Sequence, residues 1–188
     1  MHTNIVGGFP YVVWKPKKWQ SERAKGGKGG VLLTSGKYNT ACFKGHLWMA
    51  FHGLIVGLEL DVGVNHDMRI LTDCTHRYPM RCSEWGLGDL AYGGAPRYLC
   101  GVKASASHPI NELDAYWTAL VAFYRARVEQ VIARLKRHAW CQQVFRGSYE
   151  MLMVHHTITG ALTAMAIKRE ILSGKPLFEV VGPWPHNI

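Results

Sequence analysis

The chain has no long hydrophobic run. Its longest weakly polar stretch, Leu47 to Leu60, is broken by His52, Gly53, Gly57 and Glu59, and falls short of the roughly 18–20 apolar residues that span a bilayer. Residues Met1 to Pro10 show no charged head followed by an apolar core, so no secretory signal is expected. The five cysteines are an odd number, and no two have the spacing of a zinc knuckle or redox motif; they read as reduced thiols of an intracellular protein. No repeat of 20–50 residues is visible. Acidic residues are scarce, 13 against 22 Lys and Arg, giving a formal charge of +9 over 188 residues. A surplus of this size favours a polyanionic partner, nucleic acid before anionic membrane. Hydrophobic residues at 48% and charged residues at 19% exclude wholesale disorder and predict a single cored domain.

Composition divides the chain into zones. Ile5 to Trp14 is an apolar strand candidate. From about 15 to 40, Lys15, Lys17, Lys18, Arg23, Lys25 and Lys28 alternate with glycines and no apolar period, which reads as a flexible basic loop suited to phosphate. Phe43–Val56 and Leu58–Val64 read as antiparallel strands with a turn at Gly57. A short helix is predicted over Asp67–Cys74, then strands at Trp85–Leu90 and Tyr98–Lys103. Leu113, Trp117, Leu120, Val121, Tyr124, Val128, Val131, Ile132 and Leu135 recur at spacings of three and four, placing one apolar stripe on a long helix opened by Asn111. A second helix is predicted from Tyr149 to Leu172, with an extended tail at about 174–188. Strands followed by helices predict a mixed α/β layer fold.

Two acidic residues stand out. Asp89 ends a strand before the Gly93-Gly94 turn, where α/β folds place ligand groups and where a carboxylate suits a hard cation. Its local alternative is an Asp that opens a turn by accepting nearby backbone N–H. Glu129 flanks the apolar stripe among Arg125, Arg127, Lys136 and Arg137, all candidates for phosphate contact with Lys15, Lys17 and Lys18. Its local alternative is an ion pair with Arg125, four residues earlier. Trp14, Trp19 and Trp48, near lysines, are candidates for stacking on bases. Of His155 and His156, adjacent on a helix, one is expected to pack against the first long helix.

Together these pieces resemble the DDE superfamily endonuclease domain of Harbinger/PIF and IS5-like transposases. The carrying residues are Gly88, Asp89 and Tyr92; Arg125, Val128 and Glu129 followed by Leu135 and Lys136; Lys44, Gly45 and His46; and Gly63, His66 and Asp67. The resemblance covers about residues 5–170. It implies an RNase H-like α/β fold, a mixed sheet with packed helices. It also implies DNA as substrate and a divalent metal, Mg or Mn, held by Asp89 and Glu129 for phosphodiester hydrolysis. A nuclear location and a separate DNA-binding partner protein go with that reading, and no membrane. The sequence departs from the family at the first strand, where Gly7 and Gly8 occupy the place of an Asp-Gly pair. Asp61 is the candidate replacement ligand, with Asp67 as the other acid that could fill the gap. The competing expectation is a non-catalytic DNA-binding or protein-interaction module descended from such an enzyme.

Overall fold

Strand alternation in the first segment determines which layer each side chain enters. The computed structural model describes residues 3–14, 34–35, 40–63, 65–74, 83–107 and 109–178. Strand β1 (Thr3–Val12) lies at the centre of the sheet. Its odd residues Ile5, Phe9 and Tyr11 enter one buried cluster, whereas Val6 enters a second on the other face, as a period of two requires.

β1 pairs antiparallel with β3 (Thr40–Ala50), which pairs antiparallel with β4 (Ile55–Val62). On its other side β1 runs parallel to β5 (Trp85–Leu87), itself parallel to β6 (Tyr98–Leu99). The short β2 (Thr34–Ser35) extends the sheet against the start of β3. The fold is therefore α/β, an RNase H-like mixed sheet with packed helices. Helix α1 (Asp67–Cys74) packs on one face through Ile70 and Leu71, beside Val6, Trp48 and Tyr92. Helices α2 (Glu112–Lys136) and α3 (Tyr149–Leu172) cover the other, where Val128, Ile132, Leu135, Leu152 and Ile167 join the larger cluster.

Asn111 caps α2: its Oδ1 accepts from Asp114 N at 2.8 Å while Asp114 Oδ2 accepts from Asn111 N at 3.3 Å, a reciprocal box that satisfies two end donors. The apolar stripe is shorter than its period suggests. Leu113 is 75% exposed, and full burial begins only at Val121.

The reversal between β3 and β4 also differs from expectation. It falls at 51–54, where Gly53 takes φ +101° and donates to Ala50 O at 2.8 Å. Gly57 lies inside β4 opposite Trp48. A glycine in a strand relieves crowding beside a bulky partner, and only Gly53 needs the left-handed backbone.

Candidate functional site

β5 ends at Leu87, and the chain turns through Gly88 and Asp89 into a single 3₁₀ turn, Leu90–Tyr92. Asp89 Oδ1 accepts from Ala91 N at 2.8 Å, so the local turn-opening role is present. Its second oxygen lies 3.9 Å from Arg125 Nη2 on α2. The same nitrogen donates to Glu129 Oε1 at 3.3 Å, so the i,i+4 ion pair is present too. One guanidinium thus joins two carboxylates 40 residues apart, at the end of a parallel strand. Beside it opens a cleft of about 290 Å³, lined by Gly88, Asp89, Gly101, Thr118, Val121 and Arg125. Arg125 is 21% exposed, Asp89 36% and Glu129 58%; water screens both pairs, and each contributes at most about 1 kcal/mol.

Among the described residues no third carboxylate joins them. A Cβ at Gly7 would sit 2.9 Å from Ile132 Cδ1 and 3.2 Å from both Val128 methyls. The position expected to hold the family's first Asp therefore abuts the apolar stripe of α2. A Cβ at Gly8 faces the opposite layer, 3.5 Å from His46 Nε2 and 3.8 Å from the Tyr92 hydroxyl.

Asp61 is held elsewhere. Its Oδ1 accepts from Val62 N at 2.6 Å, and Asn65 Nδ2 donates to both its oxygens at 3.0 Å. It stands on β4, two strands from β1. Among the described residues no group of three His, Cys, Asp or Glu side chains is placed to hold a metal ion. With Arg125 already between Asp89 and Glu129, the donor set does not fit a divalent cation, whose binding rests on several charged oxygens.

The opposite sheet face carries a second polar cluster built from motif residues. Lys44 Nζ donates to Asn65 O at 2.6 Å and to Asp67 Oδ1 at 3.2 Å. Fully buried His46 lies 3.2 Å through Nδ1 from the Tyr92 hydroxyl and 3.7 Å through Nε2 from Asp67 Oδ1. Burial lowers the His46 pKa to about 4, against the opposing pull of Asp67. His46, Asp67 and Tyr92 were visible in the sequence only as fragments of separate motifs; the packing of α1 and the 3₁₀ turn on the sheet face that carries His46 brings them together.

The candidate phosphate contacts separate. Arg127 stacks over the Phe51 ring at 4.4 Å and donates to Phe51 O at 3.0 Å, so its guanidinium secures the β3–β4 turn to α2. Arg125 serves the carboxylate pair. Lys136 and Arg137 are exposed at the end of α2. Lys15, Lys17, Lys18 and Trp19 lie outside the described residues. Of the tryptophans proposed to stack on bases, Trp48 is only 4% exposed and belongs to the core, whereas Trp14 is half exposed. His156 is the inward-facing member of its pair, but its ring meets β1 rather than the long helix, with Nδ1 2.9 Å from the Tyr11 hydroxyl. No family model matches the chain, and no curated protein or solved structure matches it either.

Proposed function

We propose that this chain is a transposase-derived domain of the DDE endonuclease type that binds DNA and does not cut it. The observation that carries the reading is the convergence of Asp89 and Glu129 on Arg125. In the family the chain resembles, those two motif positions hold the metal. Here a resident guanidinium neutralises part of their charge, and Gly7 supplies no third carboxylate. Two-metal phosphodiester cleavage needs a ligand set that holds both cations against the developing charge; two carboxylates sharing an arginine are not such a set.

The same convergence favours, as the second reading, a working Mg- or Mn-dependent nuclease completed by Asp61. It requires Arg125 to leave and Asp61 to exchange three hydrogen bonds for a metal. The first reading needs neither movement.

The charge of +9 supports a DNA partner. The acid pair with Arg125 carries a local charge of −1, so the phosphate contacts belong to Lys136, Arg137 and the N-terminal lysines rather than to the cleft. The test is fluorescence anisotropy of a labelled duplex across a salt series. Affinity is expected to fall steeply between about 50 and 200 mM salt, with little dependence on sequence. Lys136→Glu with Arg137→Glu should lower affinity and flatten the salt slope by about one unit per lost contact. No binding at low salt, or binding indifferent to salt, would remove the DNA partner.

A further inference from the structure

Helix α3 buries one side and carries a separate apolar stripe on the other. Leu152, His156, Thr159, Thr163 and Ile167 are buried beneath it. On its outer side Met151, Val154, Ile158, Leu162 and Met165 are each 50–68% exposed. An exposed apolar stripe of this kind marks an interaction surface.

We propose that this outer face is a homodimer interface, in which two copies of α3 pack antiparallel with Ile158 on the two-fold axis. The steps along the stripe are three, four, four and three residues, so it reads the same from either end about Ile158. An antiparallel copy sets Met151 against Met165, Val154 against Leu162, and Ile158 against its own counterpart. This self-complementarity is what an isologous two-fold contact requires. Ala161, small and exposed, lies beside the centre and leaves room for the helices to approach.

Charge agrees with this orientation. Glu150 stands at the start of α3 and Lys168 and Arg169 near its end. Antiparallel packing brings Glu150 of one copy within a turn of Arg169 of the other and opposes the two helix dipoles. Parallel packing stacks like on like. Area sets the strength. Taking about 1.45 Å² per dalton as the extended-chain surface, the five stripe residues present roughly 470 Å² per copy. Two copies then cover roughly 900–1,000 Å², the size of a weak, concentration-dependent interface. This inference is independent of the DNA reading.

The experiment is sedimentation equilibrium of the full chain. A mass rising with concentration towards twice 21.1 kDa is expected, reduced to the single value by Ile158→Glu with an unchanged far-ultraviolet circular dichroism spectrum. Glu150→Arg and Arg169→Glu should each weaken association several-fold, and together restore it. Under mild oxidation, Ile158→Cys should form a 158–158 disulfide, mapped by mass spectrometry. Met151→Cys should not link to itself, because antiparallel packing separates the two copies of that residue by about 21 Å. A monomer at every concentration, a dimer indifferent to Ile158→Glu, or a 151–151 cross-link would overturn the proposal. The first two outcomes leave the stripe to another segment of the chain, a different protein or a membrane surface.

Discussion

Substituting Gly7 by Asp returns a carboxylate to the place the resembled family reserves for one, and the geometry predicts damage rather than repair. The new Cβ would meet Ile132 Cδ1 at 2.9 Å and the Val128 methyls at 3.2 Å, and Val128 is fully buried. Overpacking of this kind costs about 1–3 kcal/mol. The acid then faces an apolar layer, where it prefers to be neutral. Keeping it protonated at pH 7, about three units above its ordinary value, costs about 4 kcal/mol more. The total, about 5–7 kcal/mol, is comparable with the whole stability of an ordinary domain. At roughly 2–4 °C per kcal/mol for this chain length, the Tm should fall by roughly 10–25 °C. The sign with pH follows from linkage: a folded-state pKa raised above the unfolded value makes the charge penalty grow above about pH 4 and vanish below it. Gly7→Ala carries the volume without the charge and should lose only about 1–3 kcal/mol at either pH. Thermal unfolding of wild type, Gly7→Ala and Gly7→Asp at pH 7 and pH 4 separates the two contributions. If Gly7→Asp is as stable as Gly7→Ala at pH 7, its carboxylate reaches water or Arg125, and the account of that strand is wrong.

Two further outcomes follow from the same core. Burial lowers the pKa values of His46 and His156 to about 4, so both should remain neutral by imidazole NMR at pH 5.5, where an unfolded histidine is mostly charged. Depressed folded values mean that the stability these neutral rings contribute is complete above about pH 6.5 and is lost as pH falls towards 4; a denaturation series should show up to about 1.4 kcal/mol per pH unit from each ring. If either titrates near 6.5, its burial is misread. Arg134 joins α2 to Glu170 of α3 at 2.7 Å and to Leu177 O at 2.9 Å. Arg134→Ala should therefore cost about 1–2 kcal/mol, discounted for partial exposure, and lower the Tm by roughly 2–8 °C; an unchanged Tm would show that the tail and α3 are held by packing alone.

Much of the layer plan was legible because it rests on local signals. The aromatic and branched run from 43 onward marked strand, although its turn falls at 51–54 inside the run, and Asn111 ahead of the stripe marked the start of α2. Asp89 stood out because it ends an apolar strand, although its turn-opening role was equally legible there, and Glu129 because it interrupts a basic helix beside its apolar face. What escaped the sequence depends on register. The facing of Gly7 follows from the β1–β3 pairing and the seating of α2. Arg125 reads as the partner of Glu129 alone until the strand end is placed beside it. Gly53 and Gly57 are alike in sequence, and only the demand for positive φ tells the turn from the strand interior. In α3 two apolar stripes overlap, so no single period emerges; the palindromic steps from Met151 to Met165 were present but not separable from the inward set.

The central claim is that Arg125 and Gly7 leave this site unable to cut. Nicking of supercoiled plasmid by the full chain, in Mg²⁺ and in Mn²⁺ at low salt beside Glu129→Gln, tests it most directly. Both proteins should bind the plasmid, and the supercoiled fraction should stay constant and equal for the two. Nicking by the unaltered chain that Glu129→Gln abolishes would contradict it, and would mean that the carboxylates release Arg125 and take up metal.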